Sequence, residues 1–256
     1  LIMPYRVIPC LLLDHGGLVK TVKFKDPKYI GDPINAVKIF NDKEVDELIL
    51  LDIHATEDDR EPDYELIQSI VSEAFMPIGY GGGITQVEQI RRLLALGIEK
   101  VCLNSRAATD PDLISQASGL VGSQSIVVSI DVKKNLLGKY EVWTHGGRKK
   151  TQFDPVTFVQ SMEQHGAGEL FLNSIDRDGT MGGYDLELIK RITAAVSIPV
   201  IASGGAGKLS DFTAAINDAG AFAVAAGSMF VFHGPHRAVL INYPGYGTLS
   251  QITTPQ

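Results

Sequence analysis

The chemistry-bearing residues of this chain sit where apolar runs stop. Gly81-Gly82-Gly83, Asn104-Ser105, Ser203-Gly204-Gly205 and Ala226-Gly227-Ser228 each follow such a run. Each is small enough to bring backbone N–H groups against an anion, and a following helix N-terminus would add a favourable dipole. One glycine turn alone answers a steric need more often than a ligand. Two pairs of them, one in each half of the chain, point to two phosphate sites and so to an elongated bisphosphate. Ser129-Ile-Asp131 ends another apolar run on a carboxylate, which there is either an N-cap and loop anchor or a general acid/base. Asp52 and Asp176 are similar strand-end acids, expected to fix loops by hydrogen bonding.

These residues need strands to carry them. Eight apolar runs qualify: Val7–Leu13, Glu47–Ile53, Pro77–Tyr80, Lys100–Asn104, Ser125–Ile130, Glu169–Ser174, Pro199–Ala202 and Phe222–Ala226. Most are near-continuously apolar, as strands buried on both faces must be. Amphipathic helical patterns lie between them, with Asp32-Pro33 and Asp154-Pro155 as N-cap and first-turn proline signals. Eight alternations of β and α predict a (β/α)₈ TIM barrel, whose active face is built from the loops after the strands. A doubly wound sheet would need fewer strands and a G-x-G-x-x-G turn, which is absent. Glu47, Leu48, Ile53, Pro77, Gly82 and Gly83 recur as Glu169, Leu170, Ile175, Pro199, Gly204 and Gly205, each shifted by 122 positions, so the barrel is expected to be two similar half-barrels. The barrel is read as residues 3–244, with Met3 as the natural start and residues 245–256 as a tail of loop or disorder. Gly234, Pro235 and Pro244 leave little room for a closing helix.

Bulk properties narrow the partners. A net charge of −7 argues against nucleic acid, though a few local donors can still hold a phosphate. No run approaches the roughly 20 apolar residues needed to span a bilayer, so no membrane partner is expected. Cys10 and Cys102 sit alone in apolar runs, which predicts buried thiols, a reducing compartment and a cytoplasmic location. Six scattered histidines make no zinc spacing, so neither metal nor other cofactor is expected.

Cys10-Leu-Leu with Val19-Lys20, Asp46-Glu-Leu through Leu51-Asp-Ile53, Tyr80-Gly-Gly-Gly-Ile84, Gly122-Ser-Gln124, Ser174-Ile-Asp-Arg-Asp-Gly-Thr180, Gly183-Tyr-Asp185 and Ile201-Ala-Ser-Gly-Gly-Ala-Gly-Lys208 together resemble HisF, the cyclase subunit of imidazole glycerol phosphate synthase. The likeness runs from Arg6 to about Phe230. It implies a barrel that takes ammonia from a separate glutaminase, HisH, docked at the N-terminal face. Ammonia would cross the barrel core to a bisphosphorylated ribulosyl-formimino aminoimidazole carboxamide ribonucleotide, which is cleaved and cyclised. By that resemblance Gly82, Gly83, Asn104 and Ser105 would hold one phosphate, and Asp178, Gly179, Gly204, Gly205, Gly227 and Ser228 would surround the other. Lys20 matches a functional loop lysine and Asp131 the catalytic acid of strand five. Arg6, Glu47, Lys100 and Glu169 match the charged ring at the ammonia entrance; four solvated strand starts are the plainer alternative. No glutaminase motif occurs in this chain, so ammonia must come from a partner.

One departure stands out. The family's other catalytic acid, at the end of strand one, falls on Leu12 in Cys10-Leu-Leu-Leu-Asp14. Leucine moves no proton, and loss of a positioned acid/base typically costs about 10²–10⁴-fold. Losing a like charge should also relieve upward pressure on the Asp131 pKa. Asp14 or His54 could stand in, if the strand end aims them inward. A broken acid pair with an intact ring resembles the glycosyl-amidation-associated HisF paralogues called WbuZ, as does the run Val231–Pro244. That branch works with a HisH-like glutaminase and an N-acetyl sugar amidotransferase in surface-polysaccharide synthesis. The competing expectations are an authentic histidine-pathway cyclase, a non-catalytic conduit scaffold and a HisA-type isomerase, against which Leu12 and the ring both count.

Overall fold

The computed structural model describes residues 5–253, so Met3 lies outside the described residues. Eight parallel strands close the barrel: β1 (Arg6–Asp14), β2 (Leu48–Asp52), β3 (Ile78–Gly81), β4 (Lys100–Leu103), β5 (Ile126–Lys134), β6 (Glu169–Ser174), β7 (Val200–Ser203) and β8 (Ala223–Ala226). Closure is made by β1 on β8, with Arg6 opposite Ala223 and Pro9 opposite Ala226. The expected (β/α)₈ TIM barrel is the fold, with strand ends moved by a few residues at most, save for β5.

Period-two alternation sorts each strand into two layers. Val7, Leu11 and Leu13 of β1 join the large core between barrel and helices. Ile8, Cys10 and Leu12 turn the other way, into a separate cluster with Ile49, Cys102, Val127, Phe171, Ile201, Ala223 and Ala225 that fills the lumen. Phe171 is fully buried there, and truncating it to alanine should cost about 3–5 kcal/mol. Cys10 and Cys102 are buried free thiols, as their apolar settings predicted.

The outer helices follow their sequence signals. Asp32 Oδ1 accepts from Asn35 N at 2.9 Å to cap Pro33–Asp42, and Asp154 Oδ2 accepts from Val156 N at 3.1 Å to cap Pro155–Gln164. The helix that begins at Leu209 is α-helical only to Thr213 and continues as a π-helical turn over Ala214–Asp218.

Three departures from expectation lie in the connections. After β1 the chain folds back as an antiparallel hairpin, Gly17–Val22 and Lys25–Gly31, instead of running straight to the first helix. β5 runs on to Lys134 and pairs with Tyr140–Thr144, the turn being closed by Gly138 N donating to Asn135 O. The third is at the end of the chain. Residues Tyr246–Thr253 form a helix, not a loop, and Leu249 is buried against the helix at Leu209–Thr213. The prolines delay the closing helix without preventing it: Gly245 O accepts from Thr248 N and Leu249 N, starting a new turn just beyond Pro244. Residues 245–253 therefore belong to the outer layer of the barrel.

Candidate functional site

Inward positions rise through the lumen in steps of two, so each strand carries a column. On β6 the column is Glu169, Phe171, Asn173; on β5 it is Val127, Ser129, Asp131; on β1 it is Arg6, Ile8, Cys10, Leu12. The β1 and β6 columns are charged at the bottom and apolar above it, that of β5 begins on Val127, and the upper residues of all three line a cavity at the C-terminal mouth.

The bottom layer is a closed ring. Arg6 binds Glu47 and Glu169 through separate guanidinium nitrogens, while Lys100 Nζ lies 2.9 Å from Glu169 Oε1 and 3.7 Å from Glu47 Oε1. Both glutamates are buried. Burial disfavours the Arg6 cation, but Glu169 and Glu47 more than offset this and raise its pKa. The plainer alternative of four solvated strand starts does not describe this geometry. Nearby, Tyr243 of the C-terminal segment donates to Val7 O at 2.8 Å, tying the chain end to the rim of the ring.

At the mouth, Asp131 is the central acid. Asn104 Nδ2 donates to its Oδ2 at 3.0 Å and to Ser129 O at 3.1 Å. Desolvation raises the Asp131 pKa to about 7, the hydrogen bonds from Asn104 and Asn173 oppose that rise, and the Asp178 charge adds to it. The expectation that Leu12 would relieve the upward pressure is thus outweighed, because burial itself dominates. A carboxyl of this kind is close to half-protonated at neutral pH, which suits it to give or take a proton.

Leu12 stands at the third inward position above Arg6, the level that Asp131 occupies on β5. It is paired with Leu51 across β2 and with Val19 of the hairpin. Together with Ile53, these side chains make the β1–β2 side of the mouth apolar. Asp14, the next inward step, is turned to the rim, where His54 Nδ1 lies 2.9 Å from its Oδ1 and His15 also hydrogen-bonds to it. Burial pushes the Asp14 pKa up, but the two histidines overcome this and hold it below the usual value.

The predicted ligand-binding residues converge, with two changes of role. Lys20, on the hairpin, is buried, and its Nζ occupies the space a side chain at Gly227 would need, 2.1 Å from where that Cβ would stand. Ser228 Oγ is buried beside it with no hydrogen-bond partner among the described residues. Gly82, Asn104, Ser105, Asp178, Gly179, Gly204, Gly205, Gly227 and Ser228 line the same cavity as Asp131 and Lys20. Gly83 lies in an adjoining cavity with Gly82, Asn104, Ser105, Arg106 and Lys149. The first change of role is at Asp178, whose Oδ2 accepts from Thr21 Oγ1 at 2.7 Å and Phe24 N at 3.0 Å. Its carboxylate clamps the hairpin over the mouth, and a carboxylate repels phosphate. The second is at Asn104, whose amide orients Asp131.

The paired glycine turns have a steric cause that is independent of any ligand. Gly82 and Gly204 both have positive φ, +119° and +90°, and a Cβ would meet Asp52 O at 2.5 Å or Ser174 O at 2.7 Å. The two half-barrels therefore repeat one packing solution, a strand-end backbone pressed on the preceding strand. Asp52 and Asp176 anchor loops as expected: Asp52 Oδ1 accepts from Ala55 N at 3.0 Å, and Asp176 Oδ2 from Lys134 N at 2.7 Å.

Sequence reasoning missed Arg237. Its Nη2 donates to Gly179 O at 2.7 Å, so the hairpin formed by Phe232–His233 and Ala238–Val239 reaches back to the mouth. Thr21 was missed as well, because Leu18-Val-Lys-Thr-Val22 shows no clean alternation to mark the strand that carries it.

Residues 6–236 match the family described as histidine biosynthesis protein. A Pseudomonas aeruginosa protein provisionally named imidazole glycerol phosphate synthase subunit hisF2 is 53% identical over 244 residues, covering 95% of this chain and 97% of the relative. A Leptospira interrogans protein, provisionally named the HisF subunit, is 51% identical, with coverage of 93% and 94%. The imidazole glycerol phosphate synthase subunit HisF of Alkaliphilus metalliredigens is 43% identical, with coverage of 89% and 90%. The chain belongs to the HisF family of histidine biosynthesis proteins.

Proposed function

We propose that this HisF-family barrel is the ammonia-accepting subunit of a glutamine amidotransferase complex serving acetamidino-sugar formation in surface-polysaccharide synthesis. Its partner would be a HisH-like glutaminase bound over the N-terminal face, with an N-acetyl sugar amidotransferase as acceptor enzyme. One observation carries the reading: a closed charged ring guards one end of the lumen, while the other end has a single central acid where the family uses two. Ammonia needs the ring and the apolar lumen above it. Bisphosphate cleavage and cyclisation need the acid pair, and Leu12 with Leu51 and Val19 puts an apolar wall where one acid should be. The higher identity to provisionally named relatives than to the HisF subunit of A. metalliredigens is in keeping with a paralogous branch.

The authentic cyclase is the second reading, favoured by the convergence of Lys20, Gly227, Ser228 and Asp131 on one cavity. A phosphorylated small molecule fits either account. If the barrel turns nothing over and only transmits ammonia, the first reading reduces to a conduit scaffold.

The deciding measurement is turnover of the ribulosyl-formimino bisphosphate with ammonium salts, alongside stimulation of a HisH-type glutaminase by this barrel. Glutaminase stimulation without cyclase turnover is the expected result. Robust wild-type cyclase turnover overturns the first reading in favour of the second. Absence of glutaminase stimulation overturns the conduit.

A further inference from the structure

The end of β1 and the loop after β2 bring together a group whose sequence spacing carries no metal signature. Ligand atoms of Asp14, His15 and His54 all lie within 4.8 Å of one another. Both imidazoles present Nδ1 to the same carboxylate oxygen, Asp14 Oδ1. Their rings lie side by side with centroids 5.6 Å apart and planes inclined by 35°. The outer nitrogen of each ring faces a second acid: His15 Nε2 is 3.3 Å from Asp58 Oδ2, and His54 Nε2 is 3.8 Å from Glu57 Oε2.

Two imidazole nitrogens converge on one carboxylate oxygen, and each outer nitrogen has an acid near it, at hydrogen-bond distance for His15 and at 3.8 Å for His54, the two acids also pairing with Arg60 and Arg148. Metal-binding histidines are commonly oriented by such outer acids. Without an ion each Nδ1 carries the proton that it donates to Asp14 Oδ1; a metal ion would displace that proton and leave Nε2–H to face the outer acid. Simple surface pairing would be served by one histidine per carboxylate and would not require both rings to aim at one oxygen. We propose that Asp14, His15 and His54 form a binding site for a divalent transition-metal ion of the zinc class, with Glu57 and Asp58 orienting the histidines. Two nitrogens and one carboxylate oxygen select zinc, cobalt, nickel or copper over magnesium or calcium, which prefer all-oxygen sites.

Ligands of a tetrahedral ion at about 2.0–2.1 Å stand about 3.4 Å apart, somewhat wider than the hydrogen-bonded positions here. His15 supplies the movement: its side chain is 68% exposed at the tip of the β1 turn. Three protein ligands leave one position for water. His54 also lines the central cavity, so the bound ion would sit on the rim of the mouth, on the side that Leu12 makes apolar. The site does not depend on the function proposed above.

The test uses tag-free full-length protein, stripped with chelator and titrated with Zn²⁺ by calorimetry and with Co²⁺ by visible absorption. One ion per chain is expected, with the cobalt spectrum showing the intense d–d bands of a four-coordinate site. His15→Asn is the cleanest variant, because the residue is exposed at φ +47° and asparagine tolerates that conformation. It should weaken binding at least about tenfold, and His54→Ala at least as much. His165→Ala, on the far side of the fold beside Ser161, should leave affinity unchanged. No binding, or equal binding in wild type, His15→Asn and His54→Ala, overturns the site.

Discussion

Replacing Asp131 with asparagine should stabilise this protein, and more at neutral than at acid pH. Asp131 titrates near 7 in the fold, and its ordinary value is 3.8. Between those limits the native state holds a proton that the unfolded chain has released, so native stability falls as pH rises and levels off above about 7. Each pH unit across the window is worth about 1.36 kcal/mol, which makes the ionised side chain about 4 kcal/mol costlier at pH 8 than the protonated one at pH 4. Asparagine keeps the shape and offers Oδ1 to the Asn104 amide that Asp131 now accepts from at 3.0 Å. Urea unfolding of wild type and Asp131→Asn at pH 5 and pH 8 separates the terms. The variant should gain about 1.5 kcal/mol at pH 5 and about 4 kcal/mol at pH 8, with unchanged m-values. Equal effects at the two pH values, or a loss at pH 8, would show that Asp131 is ionised and well solvated in the fold and so is not poised to exchange a proton near neutral pH.

Other outcomes follow from the same geometry. Leu12→Asp should raise cyclase turnover with ammonium salts by at least about 10²-fold if the acid at that level is what the chemistry lacks, read by substrate consumption. The same change should lower Tm, since it sets a carboxylate against Leu51 and Val19. Glu169→Gln removes the acid that binds Arg6 and lies nearer than Glu47 to Lys100, and urea unfolding should register a loss of about 2 kcal/mol, discounted for the partial exposure of both cations. Gly204→Ala should cost about 2–4 kcal/mol, because the site combines φ +90° with a backbone oxygen 2.7 Å from the new Cβ. Gly119→Ala, in a helix with nothing within 4 Å, should instead gain about 0.5–1 kcal/mol, and paired thermal melts would show the contrast.

Much of the barrel was legible because buried parallel strands must be apolar on both faces, and no other soluble element of that length reads so. The β5 extension and the Gly17–Gly31 hairpin were not, since partly exposed antiparallel strands mix polar with apolar residues. Lys25–Gly31, with Asp26, Pro27 and Lys28 in its middle, carries no strand signal at all. The glycine turns were visible as repeats, yet sequence could not separate ligand contact from close packing, and Gly82 and Gly204 prove to be required by packing in any case. Asp178 illustrates a different limit. Its neighbour Gly179 marks a turn, but the partners of the carboxylate, Thr21 and Phe24, are more than 150 positions away. The cluster of Asp14, His15 and His54 was hidden for the same reason, as it exists only once β1 and β2 lie side by side.

The lower ring has a further consequence, for how the two halves of the chain hold together. Glu47 and Glu169 are the same residue in the two repeats, but the cations have no such duplicates: Arg6 and Lys100 both precede the second repeat. The first half therefore brings two positive charges and one negative to the ring, and the second half brings one negative. At its base each half is the counterion of the other, with Glu169 reaching across to Arg6 and Lys100. Cut between β4 and β5 and expressed as two fragments, the barrel should reassemble as a mixed pair in preference to either fragment with itself. High salt should weaken that preference more than it weakens the intact chain.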